Sequence, residues 1–464
     1  MSLAGPPPPS LLERSPYGRM ALDLRVEARS RTAIPFPPGD TRFSVTRTQR
    51  FARNPLPILL DAYDRHGPVF TLRILHGLVV FVLGPQANHH LLVSNAKNFS
   101  WRQGHFSDLL PLLGDGLLTI DGDFHRRSRK IMLPAFHTQR IRESYATIEA
   151  ETERALPLVR VGETLDLYHW TRELALRIAM RALFGLDPDR SARDVDAAEE
   201  FEQALGFYAR DYTLQILRGP FTPWARMHRA RQRLDALILS EITRRRRTGE
   251  RGEDILSLLL DAQDEDGSRL SDQHVRDEVM TLLFAGHDTT TSTISFMFYE
   301  LSRNPDARDR LRDRLAAGDD GGELRRVMDE TLRLYPPAWV GPRRSIEAFE
   351  LCGVRVPGGV PVNYSSWASH RLPDVWEQPD AFRPERFAEG GEVSKLPKGA
   401  YVPFGGGSRT CIGMRFGQAE IAVIARALME RFDLDLLPGY HLRTRQMPTI
   451  GPVGGLPMRV RAAA

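Results

Sequence analysis

Apolar residues crowd two short runs near the start of the chain, VFTLRIL at 69–75 and LVVFVL at 78–83, split by His76-Gly77. That pattern predicts a β-hairpin. From about residue 90 to 335 the apolar spacing changes to three and four, the period of helices with one buried face. The longest such segment, SDQHVRDEVMTLLFAGHDTTTSTISFMFYELSRNP, begins at the N-cap candidate Ser271 and stops before Pro305. At about 1.5 Å per residue it would run about 48 Å, enough to cross a whole domain. After residue 345 short β-like pieces return, FELCGVRVPGGVPVNY and then GPVGGLPMRVRA. Between them lie WEQPDAFRPERF and a last helix expected over about 412–431. Residues 1–44 differ from the rest: they are Pro-rich, with PPPP at 6–9, and are expected to be extended or disordered. Nothing divides 45–464, so the expectation is one domain, mainly α with small β-sheets.

Composition changes this picture little. Two cysteines cannot form a disulfide framework, and the most apolar stretch, GLVVFVLGP at 77–85, is far too short to span a bilayer. A soluble, cytoplasmic protein without a membrane anchor is expected. The pI near 9.1 would suit a nucleic-acid binder, but the net charge is only +4 and the basic residues are scattered. Of 63 basic residues only Lys97, Lys130, Lys395 and Lys398 are lysine, a bias of GC-rich bacterial codons. The run Arg244–Arg247 ends an amphipathic segment, where cations suit a helix C-terminus.

One of the two cysteines, Cys411, ends a glycine-rich loop, PFGGGSRTCIG at 403–413. A buried core cysteine needs no such neighbours. Glycines 405–407 let backbone N–H groups approach a sulfur, and a following helix N-terminus favours a thiolate. With no second Cys or His nearby the loop is a poor zinc site and a good source of one axial ligand.

From Phe404 to Gly413 the loop fits F-x-x-G-x-R-x-C-x-G without a mismatch and resembles the haem-binding loop of the cytochromes P450. Two further motifs stand in the order of that family. Glu330-Thr-Leu-Arg333 places an acid and a base on one helix face. Phe382-Arg-Pro-Glu-Arg386-Phe387 resembles the meander, whose arginine joins the pair in a structural charge network. The resemblance covers roughly residues 45–464 and implies the P450 fold, haem b, and Cys411 as the thiolate ligand of its iron. Phe404, Gly405, Gly413 and Ala285 would lie against the haem.

The segment Ala285-Gly286-His287-Asp288-Thr289-Thr290 resembles the family's oxygen-binding groove. The resemblance implies Asp288 and Thr289 as the acid–alcohol pair, with Thr289 beside oxygen and Asp288 linking it to solvent; His287 is read as structural. His125 and Arg129, four apart in Gly122-Asp-Phe-His-Arg-Arg-Ser-Arg129, match the propionate-binding pattern, as do Arg409 and Arg343, with Arg344 competing for the register of the last. Cys352 receives no role. Candidate pocket segments are Phe106–Leu118, Leu282–Ala285, Pro337–Val340 and Ile450–Val453, with Leu282, Ala285, Ala338, Val340, Ile450 and Val453 as lining residues. Their apolar character implies a lipophilic substrate, leaning to fatty acid, terpenoid or steroid. The expected activity is insertion of one oxygen atom of O2, by hydroxylation or epoxidation.

No nucleotide-binding fingerprint is present, so electrons from NAD(P)H are expected through a separate ferredoxin or flavodoxin and its reductase. Arg126, Arg127, Lys130 and Arg415 offer a basic face for that partner. A peroxide-driven P450 or a non-catalytic haem sensor are the alternatives. The Asp288-Thr289 pair argues against the first, and the lack of a visible output domain against the second.

Overall fold

The computed structural model describes residues 16–30 and 34–463, apart from 105–108, 187–196, 209, 211, 253, 264–266, 268 and 319–320. Its axis is the helix Asp272–Arg303. Ser271 caps it by accepting the His274 N–H at 3.2 Å, and Pro305 starts the next helix after Asn304. Around this central helix packs the largest core, which includes Val275, Val279, Met280 and Leu283. A helix this long and this buried carries polar residues into the interior: Arg276, Asp277, Glu278, His287 and Asp288 are all buried.

The hairpin forms, pairing Val69 with Val82 through to Ile74 with Gly77. Its turn is Leu75-His76, one residue earlier than the sequence suggested, with Leu75 at φ 54° and Gly77 in the strand. Across the main sheet the strands run Gly39–Asp40, Val69–Ile74, Gly77–Val82, Pro361–Tyr364, Gly341–Ser345 and Phe99–Ser100. Phe70, Leu72 and Phe81 face one core, and Val69, Val80 and Val82 another. Burial on both faces explains why these runs are apolar without alternation. A second sheet joins Phe432–Leu436, Pro457–Ala462 and Thr164–Asp166.

One expectation fails. Residues 16–30, expected to be extended or disordered, form the helix Pro16–Ser30. Proline is tolerated at the first helical position, and no further proline follows until Pro35. Tertiary contacts then hold the helix: Glu27 pairs with Arg73 at 2.6 Å and Asp23 with Arg344 at 2.6 Å, while Val26 packs against the sheet.

Candidate active site

The helix Met414–Met429 begins just past Cys411. Within the loop before it, Gly405 and Gly407 take φ 69° and 61°, and a Cβ on Gly407 would lie 2.2 Å from the Leu92 carbonyl oxygen. Only glycine fits that approach. The Cys411 N–H donates to the Phe404 carbonyl at 2.9 Å and closes the loop. Cys411 has exposed surface although it lies deep among protein atoms, so it faces a concavity. Burial pushes its thiol up, while the Gly413 amide and the Arg129 guanidinium act in favour of the thiolate.

Cationic groups converge on the same region. On the helix Gly122–Met132, His125 and Arg129 turn inward while Arg126 and Lys130 are exposed, as a four-residue spacing requires. Arg129 donates to the Thr410 carbonyl at 2.7 Å. Burial, with Arg409 and Arg129 adding to it, lowers His125 to about 3, so its imidazole is neutral. Arg409 pairs with Asp121 at 2.7 Å and donates to the Ile120 carbonyl at 2.7 Å; burial lowers it to about 10. Strand alternation turns Arg343 and Arg344 to opposite sides. Arg344 reaches outward to Asp23 and the carbonyls of Gln103 and Gly359. Arg343 is buried, 3.4 Å above the Trp101 ring, and has no ion pair among the described residues. Burial lowers it to about 9. A fully buried guanidinium without a carboxylate is costly unless an anion completes its shell.

The central helix presents a different surface. Ala285 is exposed in the middle of a buried run, and a Cβ on Gly286 would meet open space. The glycine therefore widens a groove; it does not serve close packing. Thr289 is half-buried, and its hydroxyl donates to the Ala285 carbonyl at 2.7 Å. Asp288, about 100° further round the helix, points elsewhere. It is fully buried, with Arg172 and Arg445 each 3.6 Å from Oδ1 and the Thr449 hydroxyl donating to Oδ2. Burial would raise its carboxyl, but the two guanidiniums hold it below its ordinary value. The stabilisation from this charge is present above pH 3.8 and is lost as pH falls through the lowered value. Asp288, expected to link Thr289 to solvent, has no exposed surface of its own, and its carboxylate faces Arg172, Arg445 and Thr449. His287 is buried 3.4 Å from Glu202, edge-on to Phe201.

Glu330, Arg333 and Arg386 form one fully buried cluster, with Glu330 2.7 Å from Arg333 and 3.3 Å from Arg386. Arg333 also donates to the carbonyls of His370, Pro379 and Ala381. The helix Gly322–Leu334 is thereby tied to the segment leading into the cysteine loop.

Of the pocket candidates, Leu282 is buried, Ala338 is exposed and Val340 is half-buried. Val453 is 43% exposed on a turn. Ile450 is 0% exposed, packed in the core around Trp339, and has no free face for a ligand. It is core, not pocket wall. Phe106, in the segment Phe106–Leu118, lies outside the described residues.

The family profile described as Cytochrome P450 matches residues 37–455. The chain belongs to the cytochrome P450 family. It is a haem-thiolate monooxygenase that uses haem b, O2 and electrons supplied through a redox partner. This P450 is 35% identical over 429 residues to cyclooctatin synthase of Streptomyces melanosporofaciens, covering 88% of this chain and 92% of the relative. It is 34% identical over 408 residues to cyclooctat-9-en-7-ol 5-monooxygenase of the same organism, covering 84% and 88%. Among solved structures, "Retinoic acid bound cyanobacterial CYP120A1" superposes with a TM-score of 0.82 at 28% identity, covering 93% of this chain and all of that one. The residues present fit haem: a thiol facing a concavity, an open stretch of the central helix, and a buried Arg343 in want of an anion. Among the described residues no helix is long and apolar enough to cross a membrane.

Sequence reasoning missed several neighbours. Trp101, Asp121, Arg172 and Arg445 carry no local motif. Nor does Glu420, which is fully buried on the Met414–Met429 helix and accepts the Thr290 hydroxyl at 2.9 Å. Burial raises Glu420 from 4.5 to about 8, with the Thr290 bond acting against it. Between those values the folded state binds a proton that the unfolded state does not, so stability falls as pH rises through the window. Glu420→Gln keeps an acceptor for Thr290 and removes the titration. Thermal melts of the holoprotein should show the variant gaining on the parent as pH rises towards about 8; parallel melting curves would rule this out.

Proposed function

We propose that this P450 oxidises a terpenoid, inserting one oxygen atom of O2 into a C–H or C=C bond of a lipophilic ring skeleton or its alcohol. The observation that carries the substrate class is the identity of 34–35% across 84–88% of the chain to relatives named for cyclooctatin and cyclooctat-9-en-7-ol. Haem b supplies the activation of O2, which no side chain can perform. Cys411 provides the thiolate for its iron. Arg343, Arg409, Arg129 and the neutral His125 would hold its carboxylates, and Phe404, Gly405, Gly413 and Ala285 would contact it.

Thr289 holds a hydroxyl proton beside the open stretch at Ala285, ready to be redirected from the carbonyl it now engages. Asp288, ionised at rest, takes up a proton when Arg172 or Arg445 releases it and hands that proton inward, returning to the carboxylate. The Leu282–Ala285 turn and the Ala338–Val340 segment form the apolar wall for substrate. Electrons come from a ferredoxin or flavodoxin in the cytoplasm, docking at the exposed Arg126, Lys130 and Arg415.

The test is a titration of purified holoprotein with terpenoid alcohols, fatty acids, steroids and macrolides, followed by the Soret shift to the high-spin form. Terpenoid alcohols should saturate the shift, with fatty acids at least about tenfold weaker. Tighter saturation by any other class would overturn the substrate assignment.

A further inference from the structure

Between the cysteine loop and the central helix lies the segment 114–121, GDGLLTID. It rests on the helix backbone-first. A Cβ on Gly114 would lie 2.3 Å from the Asp277 carboxylate, and one on Gly116 would lie 2.0 Å from the Thr281 hydroxyl. Two carboxylates of the central helix grip it. Asp277 accepts the Asp115 N–H and Glu278 accepts the Leu117 N–H, both at 2.8 Å. Both carboxylates are buried, and backbone N–H groups paired with buried charges make strong bonds.

The Asp277 carboxylate is itself fixed. Arg276 and Gln273 each donate to the other Asp277 oxygen at 2.8 Å. The second Glu278 oxygen lies 3.7 Å from His274, whose ring packs on Phe124 next to His125. At the far end of the segment, Arg409 takes the carbonyls of Leu117 and Ile120 and the Asp121 carboxylate. The segment therefore spans from a proposed cofactor-holding arginine to the helix that carries Ala285. Glu278 stands seven residues before Ala285, two turns along the same helix face.

We propose that Asp277 and Glu278 are specificity-determining positioning residues. They pin the 114–118 wall at a fixed distance from the open stretch at Ala285, and so set which ligand shapes fit beside it. This rests on the proposed pocket at Leu282–Ala285 and on the sequence expectation that Phe106–Leu118 lines it, but not on the substrate class. No step of the oxidation passes through either carboxylate. Glutamine at 278 retains an acceptor for the Leu117 N–H, whereas alanine does not.

Azole ligands test the wall without the natural substrate. Holoprotein is titrated with imidazole, too small to reach the wall, and with 4-phenylimidazole, which reaches beyond the iron. Glu278→Ala and, from the opposite side, Gly116→Ala should each cut the preference for 4-phenylimidazole over imidazole by about tenfold, because a pre-organised wall is lost. Imidazole affinity should stay unchanged, and Glu278→Gln should keep the parent preference. An unchanged preference in Glu278→Ala overturns the proposal, as does loss of haem from all three variants, which would make the grip a folding contact only. If the azole ratios shift as expected while no terpenoid moves the Soret band of the parent protein, the substrate class falls and the positioning role stands.

Discussion

Replacing Cys411 with serine is expected to abolish monooxygenase turnover while leaving a folded protein that still takes up haem. The two side chains differ by one atom, and the loop is held by backbone features that serine does not touch, including the Cys411 N–H bond to Phe404 and the left-handed Gly405 and Gly407. The cations at Arg129, Arg343 and Arg409 and the neutral His125 also remain. What is lost is an anionic sulfur: a serine hydroxyl at this position has no means to ionise near neutral pH. The measurement is the absorption of the ferrous–CO complex, whose thiolate-type band should vanish, together with haem content, which should persist. A retained thiolate band would move the ligand to Cys352. That residue sits on the turn between the strands Phe349–Leu351 and Val354–Val356, at φ 52°, so Cys352→Ser should leave the spectrum unaltered.

The second large effect is expected from Glu330→Ala. Removing the carboxylate strands Arg333, which is 0% exposed and has no other ion pair among the described residues, and leaves the buried Arg386 with Glu392 alone. Breaking one side of a buried charge cluster costs about 3–5 kcal/mol, against a total stability of about 5–15 kcal/mol for a typical protein. Glu330 also accepts the Arg383 N–H at 2.8 Å, so the backbone leading towards the cysteine loop loosens with it. The expected result is a steep fall in melting temperature and a low ratio of haem to protein. Glu330→Gln should fall between, since the amide still accepts the Arg383 N–H but offers no charge. A parent-like melting temperature in the alanine variant would show that the cluster does not brace the loop.

The parts of the site legible in the sequence are those where a short spacing dictates geometry. Glu330 and Arg333 share a helix face at three residues, His125 and Arg129 at four, and the turn conformation of the cysteine loop is announced by its glycines. The hairpin and the central helix were readable for the same reason, although the hairpin turn moved by one residue. What the sequence could not reveal depends on which distant segments meet. Arg172 and Arg445 reach Asp288 from opposite halves of the chain, and nothing local separates them from dozens of other arginines. Arg343 and Arg344 are distinguished only by which side of a strand faces inward, a matter of register. Ile450 resembled a pocket residue until its packing around Trp339 was seen. The N-terminal helix was hidden because the partners of its Asp23, Glu27 and Val26, which are Arg344, Arg73 and the sheet, lie far off in the sequence.

The main sheet has a consequence for how the protein matures. Its middle is a parallel pairing of Val80 with Val362, and the second sheet pairs Thr164 with Arg459, so early strands wait for partners made near the end of synthesis. Closing loops of this length is entropically unfavourable and slow. Trp101 and His125 emerge from the ribosome long before Arg343, Arg409 and Cys411, and the halves of the proposed cofactor cradle can meet only when translation is almost complete. Haem capture is therefore a late event, and a nascent chain exposes its half-built cradle to proteases and to self-association until the cofactor arrives. Expression of active enzyme should be limited by haem supply in that interval more than by the rate of synthesis.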